Sequence, residues 1–228
     1  METVVLEAVT PETVSALAEL AHEIWFEYWP SLIGADQTSY MVDRFQSLPA
    51  IERDMRDHAY EYWFVRAVDD GRIVGYTGGH VEPETSRFFI SKIYLLASER
   101  GKHFASAVVS FYERLCRERG LFAMYLTVNK GNDLGVRAYR GNGFSVIDAV
   151  ETDIGQGFIM DDYIMERPVV GVDKDAARLH EMLCSWQQAA AMLEAGEISK
   201  EDYDKWRYHY PEFDKAQTYV KVPPQDLF

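Results

Sequence analysis

The feature that most constrains the fold is the segment 86–129, in which two apolar stretches flank one amphipathic stretch. The last stretch, LFAMYLTVN (121–129), is nearly continuously apolar, which is the pattern of a strand covered on both faces. The first, SRFFISKIYLL (86–96), predicts another central strand. Between them the apolar residues recur at helical spacing up to a C-capping Gly120: Phe104, Val108, Phe111 and Leu115. A strand, a helix and a second strand predict a sheet with helices packed on it.

The rest of the N-terminal part adds strands and helices to the same sheet. Further strands are predicted at 3–9, 61–68, 72–81, 144–151 and 157–166. Helical regions are predicted over 10–30, 36–58 and 133–142. The fold class is therefore α/β or α+β, a mixed sheet flanked by helices.

The pattern changes after Pro168, and we predict a domain boundary there. Residues 1–168 form the sheet domain, and residues 169–228 form a C-terminal extension. In the extension a helix over 174–194 and a second helix, capped by Ser199 and Asp202, form a hairpin. An extended tail follows, so the extension is predicted to be neither a repeat nor a low-complexity segment.

The charge balance argues against two kinds of partner. The chain carries 37 Asp and Glu against 23 Lys and Arg, a formal net charge of −14. Nucleic acids and anionic membrane surfaces favour basic patches, so neither is expected as a partner. An acidic surface suits a cationic small molecule, and it equally serves solubility alone.

Compartment and metal content are predicted from patterns that the sequence lacks. No apolar run approaches the roughly 18 residues that a membrane span needs, and no N-terminal leader is evident, so we expect a soluble, cytoplasmic protein. Cys116 and Cys184 lie in helical patterns, which predicts buried reduced thiols rather than a disulfide framework. The six histidines show no ligand spacing, so no metal is predicted.

Two short segments carry the residues with chemical interest. In the first, at 96–105, a strand passes into a helix through Arg100, Gly101 and Lys102. A helix start offers unpaired N–H groups and a positive dipole end, which suit a phosphate, although a basic helix start without a ligand has the same pattern. In the second, VNKGNDLGVRAYRGNGF (128–144), Asn132 or Asp133 can cap a helix that contains Tyr139. Each of its residues also has a purely structural reading, as cap, core or turn.

Taken together and in this order, the two segments resemble the GCN5-related N-acetyltransferases (GNAT). The family's cofactor loop, R/Q-x-x-G-x-G/A, is matched by Arg100–Ala105, with His103 in place of the middle glycine. Its later motif is matched by Asn132, Gly135, Tyr139 and Gly143–Phe144. The strand SKIYLL and the ending DDYIMER (161–167) are similar to the spermidine/spermine acetyltransferase branch. The resemblance covers about 1–168.

The resemblance implies a mostly antiparallel sheet of six to seven strands, in which strands 87–96 and 121–129 splay apart to admit the pantetheine arm of acetyl-CoA. The backbone of Ile93 and Leu95 would bond the pantetheine, and Leu95 N–H would meet an oxyanion. Arg100 and Asn132 would also bind the cofactor. The loop amides would hold the pyrophosphate: Gly101, Lys102, His103, Phe104 and Ala105. The co-substrate would be acetyl-CoA, without a metal.

The same resemblance makes Tyr139 the general acid that protonates the departing CoA thiolate, since a phenol is protonated at pH 7. The base on the amine side stays open, because strand 87–96 lacks the carboxylate that some family members use there. Glu27 and Tyr94 are the candidates for substrate binding and for relaying a proton through water. A solvated surface role for Glu27 is an equal alternative.

We therefore predict an acetyl-CoA-dependent N-acetyltransferase for a primary amine of a small molecule, with a polyamine as one option. Two alternatives remain open. One is a CoA-binding or protein-interaction module with this fold and little turnover, and the other is a protein or peptide N-acetyltransferase. The aromatic-rich extension, with Trp206 and Tyr210 as anchors, can pair two copies in a homodimer or cover the acceptor site.

For position 103 the prediction is specific. If the helix has begun by residue 102, position 103 needs only right-handed dihedrals, which any residue except proline tolerates. We expect a negative φ, an imidazole directed away from the phosphate and retained CoA binding. A positive φ at His103, or an imidazole that fills the pyrophosphate site, would show that the loop has given up its cofactor.

Overall fold

The computed structural model describes residues 3–172, 186 and 189–209. The chain divides into two compact units, residues 1–177 and residues 178–228. The strands of the first unit are β1 Val4–Ala8, β2 Glu61–Ala67, β3 Ile73–Glu82, β4 Arg87–Leu95, β5 Ala123–Asn129, β6 Ser145–Gly155 and β7 Phe158–Pro168. Its α-helices are α1 Val14–Tyr28, α2 Pro30–Ile33, α3 Ala35–Phe45, α4 Leu48–Asp57, α5 Phe104–Glu118 and α6 Asp133–Gly141.

The seven strands form one sheet in the order β1-β2-β3-β4-β5-β7-β6. Every neighbouring pair is antiparallel except β4 and β5, which are parallel. That parallel pairing joins only Arg87–Phe89 to Ala123–Tyr125, and beyond these residues the two strands are not paired. The predicted fold class and the predicted splay of these two strands are both confirmed.

Helices cover both faces of the sheet, and the period-2 alternation of the strands divides the core into two layers. On one face, Val108 and Tyr112 of α5 pack with Phe88 of β4. On the other face, Leu17 and Ile24 of α1 pack with strand residues that include Tyr62, Phe64 and Tyr76. Strands that are covered on both faces need apolar residues at nearly every position, which is why 121–129 reads as continuously apolar.

The structure tests one prediction about the cysteines and one about a helical region. Cys116 is a buried free cysteine, as predicted, and burial raises the pKa of its thiol to about 12. Cys184 lies outside the described residues. The helical region predicted over 36–58 is two helices, α3 and α4, and Pro49 occupies the first turn of α4, where a missing N–H is tolerated.

In the second unit, the described residues confirm one predicted cap. Residues 189–194 are helical, and a second helix covers Lys200–His209. Ser199 Oγ accepts a hydrogen bond from Asp202 N at 3.0 Å, which is the predicted capping contact. The start of the helix predicted at 174 and the tail after Pro211 fall outside the described residues.

In the described part of the chain, no helix combines the length and the apolar composition that crossing a membrane requires. Nor do three His, Cys, Asp or Glu side chains come together there in a way that would hold a metal ion.

Candidate functional site

A cavity of about 230 Å³ occupies the gap that opens between β4 and β5. Its lining combines β4, β5 and β7 with helices α1, α2, α3 and α6 and with the loop before α5. Most of the predicted site residues line it: Ile93, Tyr94, Leu95, Arg100, Ala105, Asn132 and Tyr139. Gly101, Lys102, His103, Phe104 and Glu27 do not.

The free edge of β4 turns unpaired backbone groups toward this cavity. Leu96 N donates to Val74 O at 3.0 Å, so residue 96 is bonded to β3. Because successive residues of a strand point their N–H and C=O groups to opposite edges, Ile93 and Leu95 face away from β3 and into the gap. A bulge at Ser91, where Lys92 pairs with Gly78 but Ile90 pairs with Gly79, bends β4 away from β5.

The loop between β4 and α5 carries the predicted basic residues, and their charges have partners. Lys102 Nζ lies 2.9 Å from Glu99 Oε2, and Arg72 also pairs with Glu99. Arg72, and then Lys102, lower the pKa of Glu99, which therefore stays ionised. Much of the positive charge of Lys102 is thus offset within the loop.

Arg100 differs from Lys102 because its guanidinium lines the cavity. Its Cζ lies 4.4 Å from the centre of the Tyr28 ring, and its Nη2 donates to Leu95 O at 3.4 Å. The planar guanidinium of an arginine suits both a ring face and an oxygen acceptor. Arg100 is consequently held at the mouth of the gap, next to the backbone groups of β4.

The prediction of a negative φ at His103 was wrong. Its φ is +64° and its ψ is 14°, the left-handed conformation, and the residue is the N-cap of α5 rather than part of the helix. The chain needs this conformation to turn from Gly101, whose φ is +77°, into a helix that begins at the buried Phe104. Glycine serves such positions without strain, and histidine is among the few other residues enriched there. The imidazole is exposed and does not line the cavity.

The positive φ at His103 meets one of the two conditions that were predicted to mark a lost cofactor loop, and that condition was too strict because the start of α5 is intact. The first-turn amides of a helix have no acceptor within the helix, and this holds for Phe104 and Ala105. Phe104 contributes only its backbone there, since its side chain is buried in the core. The loop thus keeps the donors that a pyrophosphate needs, at the cost of a strained residue.

Helix α6 brings Asn132 and Tyr139 to the cavity. Asn132 is the N-cap, and its Oδ1 accepts from Gly135 N and from Tyr28 Oη, each at 2.9 Å. Asn132 therefore has the predicted capping role and also links α6 to α1. Tyr139 packs against Phe144 with ring centres 5.8 Å apart, and burial raises the pKa of its phenol to about 12. The phenol is protonated at neutral pH and can donate a proton into the cavity.

Of the two residues predicted to bind the amine substrate, Tyr94 and Glu27, only Tyr94 lines the cavity. Tyr94 lines the cavity, and its ring packs 5.5 Å from that of Trp25 and 6.4 Å from that of Trp29. Glu27 is exposed, and its Oε2 accepts a hydrogen bond from Ala97 N at 3.0 Å. Glu27 therefore stabilises the turn that follows β4 and is not a residue of the cavity.

The sequence analysis missed Asp162, which is the one carboxylate among the residues that line the cavity. Its side chain is only 4% exposed, and its Oδ1 is buried without a hydrogen-bond partner among the described residues. Burial, with a smaller effect from Asp161, raises the pKa of Asp162 to about 6 and Lys130 opposes the shift. The period-2 alternation of 157–166 predicts that Asp161 and Asp162 point to opposite faces of the strand. It does not predict which of the two faces a cavity.

The chain is similar to one protein family and to several solved structures. The model of the Acetyltransferase (GNAT) family matches residues 18–144, more than half of the 228 residues. No curated protein matches the sequence.

Among solved structures, PaiA N-acetyltransferase from Thermoplasma acidophilum, in complex with coenzyme A, is 19% identical with a TM-score of 0.60, covering 73% of this chain and 99% of its own. A GCN5-related N-acetyltransferase from Rhodopseudomonas palustris is 14% identical with a TM-score of 0.59. The match covers 74% of this chain and 97% of that one. Spermidine N-acetyltransferase from Vibrio cholerae, in complex with CoA and spermine, is 15% identical with a TM-score of 0.54, covering 74% and 97%. At these identities the likeness concerns the fold.

Proposed function

This chain is a member of the acetyltransferase (GNAT) family of enzymes, and we propose that it transfers the acetyl group of acetyl-CoA to a primary amine of a small molecule. The observation that carries the proposal is the gap between β4 and β5, where Ile93 and Leu95 turn their backbone groups toward a cavity that Tyr139 also lines. Bound acetyl-CoA supplies a thioester, an acyl group activated for attack by a nucleophile.

Two parts of the gap bind the two parts of the cofactor. The pantetheine arm takes the place of the missing strand partner and bonds the backbone groups of Ile93 and the C=O group of Leu95. The amides of residues 101–105 hold the pyrophosphate, where the dipole of α5 favours negative charge. Arg100 and Asn132 both line the cavity and would contact the cofactor from the loop before α5 and from the start of α6.

The chemistry assigns separate tasks to Leu95 and Tyr139. Leu95 N–H stabilises negative charge that develops on the thioester oxygen. Tyr139 donates its proton to the sulfur as the carbon–sulfur bond breaks, so that a neutral thiol leaves. Since burial raises the pKa of Tyr139 to about 12, the proton is present over the whole physiological pH range.

The acceptor is a small amine that enters from the side of α1, α2 and α3. Polyamines belong among the test amines, because one structure of the same fold is described as a spermidine N-acetyltransferase in complex with CoA and spermine. Acidic surface charge, a formal −14 over the whole chain, attracts cations of any kind and does not distinguish between amines.

We also propose that the sheet domain ends at residue 168 and that residues 169–228 are an appendage that pairs two copies in a homodimer. Tyr203 and Trp206, with ring centres 6.2 Å apart on the helix Lys200–His209, supply aromatic side chains of the kind enriched at interfaces. Sedimentation velocity of the full chain and of residues 1–177, which keep the buried Val169, tests this. A dimer that persists without the extension contradicts it.

Isothermal titration with CoA tests the cofactor site directly. The proposal predicts saturable binding and a rise in melting temperature with CoA concentration. No heat and no thermal shift at millimolar CoA would remove the basis of the proposed function. Saturable binding without amine-dependent turnover would favour the alternative of a CoA-binding module.

A further inference from the structure

The acceptor side of the cavity is an apolar chamber with a single acidic group. We call this chamber the aromatic box and define it by six lining residues: Trp25, Trp29, Ile33, Met41, Tyr94 and Met160. The rings of Trp25 and Trp29 stack with centres 5.1 Å apart, and Tyr94 meets Trp25 edge to face at 5.5 Å. All six side chains, Trp25 included, also pack in one hydrophobic cluster, so the fold fixes the shape of the box.

Asp162 lies beside this box. It is two residues after Met160 on β7, so both side chains are on the same face of the strand, and both line the cavity. On β5, Asn129 pairs with Asp162, and Asn129 also lines the cavity. Burial is the main cause that raises the pKa of Tyr94, and Tyr139 and then Asp162 add to the shift.

The charges of the lining are few and come from different elements. Among the described residues that line the cavity, only Arg100 and Asp162 have ionised side chains at neutral pH. Arg100 lies at the loop before α5, where the proposed cofactor binds, and Asp162 lies on β7. The polar atoms that Trp25 and Trp29 add are indole N–H groups that lack an acceptor in good geometry within the described part of the chain, and such groups only donate.

A buried carboxylate without a partner is costly unless a cation or a hydrogen-bond donor meets it. Asp162 Oδ1 has no partner among the described residues, although the side chain is only 4% exposed. Lys130, which directly follows β5, opposes the raised pKa of Asp162, but it forms its ion pair with Asp161 instead. The arrangement is one that an ammonium group from a ligand would complete.

We propose that Asp162 binds the ammonium group of the acceptor and accepts its proton, and that the aromatic box selects a primary amine with one positive charge and an apolar body. This inference rests on the proposed function, since it names the acceptor class and the base for the same reaction. A diamine or polyamine fits less well, because its second ammonium would enter a box that offers no second carboxylate.

The proton transfers balance in this scheme. The ammonium gives one proton to the Asp162 carboxylate and becomes a neutral amine with a free electron pair. The nitrogen–carbon bond forms, the carbon–sulfur bond breaks, and Tyr139 gives its proton to the sulfur. The nitrogen gives its second proton back to Tyr139, and Asp162 releases its proton to water. The net products are an N-acetyl amine, CoA thiol and one proton.

The titration of Asp162 depends on the groups around it. These come from β7, the end of β5, β4, α6, α1 and the loop before α5: Asp161, Lys130, Tyr94, Tyr139, Tyr28 and Arg100. Burial raises the pKa values of the Tyr94 and Tyr139 phenols, and Asp161 raises the pKa of Lys130, so these groups keep their protons between pH 5 and 9. The titration of Asp162 therefore controls the acidic limb of the rate. Burial is the main cause of the raised pKa of Asp162, about 6, and Asp161 adds to it.

The first test compares amines that differ by one charge. n-Pentylamine and cadaverine have the same carbon chain, and cadaverine carries a second amine; 2-phenylethylamine, spermidine and a short peptide with a free N-terminus complete the panel. We expect kcat/KM for n-pentylamine and 2-phenylethylamine to exceed that for cadaverine and spermidine by at least about tenfold. Higher kcat/KM for the polyamines or for the peptide would overturn the inference.

The second test uses Asp162→Asn with Asp161→Asn as the matched control, since Asp161 is adjacent but bonded to Lys130. At pH 7, D162N should lower kcat/KM for n-pentylamine by roughly 10²-fold, the usual loss for a general base, and D161N should change it less than about threefold. Wild-type kcat/KM should rise through a pKa near 6 and then stay flat to pH 9. In D162N only free amine reacts, so its rate should rise about tenfold per pH unit over that range.

The outcomes separate this inference from the proposed function. If no amine in the panel releases CoA thiol from acetyl-CoA, the proposed function fails. If amines are acetylated but D162N keeps the wild-type rate and the flat profile, only the inference about Asp162 fails. The amine panel uses the unaltered protein, so it decides the substrate class even if D162N does not fold.

Discussion

Position 103 places a histidine in a backbone conformation that glycine usually occupies. The left-handed conformation costs a residue with a Cβ roughly 1–2 kcal/mol relative to the right-handed one. The fold keeps it because α5 must begin at Phe104, whose side chain is only 7% exposed, directly after the turn at Gly101. The strain is therefore local, and it can be removed without touching the cavity.

We predict that His103→Gly stabilises the protein by about 0.5–1 kcal/mol, because relief of the strain exceeds the added flexibility of glycine in the unfolded chain. CoA should bind at least as tightly as to the wild type. His103→Ala is the matched control, since it removes the imidazole but keeps the Cβ. Thermal melts in which Ala and Gly stabilise equally would assign the effect to the imidazole rather than to the backbone.

Tyr139 is the other residue whose role can be separated from the fold. Tyr139→Phe removes the proton that is proposed for the leaving thiolate and keeps the ring that packs on Phe144. We expect kcat to fall on the order of 10²-fold while the affinity for CoA, measured by calorimetry, is unchanged. Tyr163→Phe, outside the cavity lining, should keep the wild-type kcat. Unchanged turnover in Y139F would remove Tyr139 from the reaction.

Residue-scale features are also where the sequence was least informative. The alternation along β7 separates Asp161 from Asp162, but the cavity exists only once helices α1, α2 and α3 have packed over that face. Likewise, the φ of His103 depends on how the chain enters α5 from a 3₁₀ turn at Ala97–Glu99, which no local pattern specifies. Tyr139 and Asn132 were identified because their motif is contiguous on α6.

Among the elements, β4 determines the site because its two edges behave differently. One edge pairs with β3 along the whole strand, and the other pairs with β5 only over Arg87–Phe89. Close contact with β3 is possible because small residues on β3 admit the neighbouring backbone. A Cβ on Gly75 would lie 2.1 Å from Tyr94 O and 2.9 Å from Leu95 Cα.

We predict that Gly75→Ala lowers the free energy of unfolding by about 2 kcal/mol and the melting temperature by several degrees, since two backbones must separate. Because Leu95 would move with them, CoA affinity should fall as well. Gly141→Ala is the control, since a Cβ there has no atom within 4 Å. A Gly75→Ala protein with wild-type melting temperature and CoA affinity would contradict this account of β4.

Elements were the level at which the sequence predicted best. Strands 121–129 and 86–96 and the helix between them were identified from hydrophobic periodicity, which local burial dictates. The bulge at Ser91 was not, since a bulge depends on the register with β3. The splay of β4 and β5 was expected only from the family resemblance, because no property of either strand alone requires it.

At the scale of the whole molecule, the cavity carboxylate lowers stability at neutral pH. The pKa of Asp162 is raised from an ordinary value of 3.8 to about 6, mainly by burial, so folding disfavours its ionised form. The destabilisation is therefore present in full above about pH 6 and disappears as the pH falls below about 4. At many functional sites, a residue that the function requires lowers the stability of the fold in this way.

We therefore expect Asp162→Asn to melt a few degrees above the wild type at pH 8, corresponding to about 1–2 kcal/mol after allowing for residual solvation. The difference should shrink to nothing near pH 4, since both side chains are then neutral. Differential scanning fluorimetry over this pH range measures it, with Asp161→Asn as the exposed control. A D162N protein that melts below the wild type at pH 8 would show that the carboxylate has a stabilising partner.

The central claim is that this molecule acetylates a small primary amine in the gap between β4 and β5. The most direct test is the rate at which thiol is released from acetyl-CoA as an amine such as n-pentylamine is added to the purified full chain. We predict a release that saturates with the amine and yields its N-acetyl derivative in equal amount. Thiol release that does not depend on any added amine, with CoA bound, would contradict the claim.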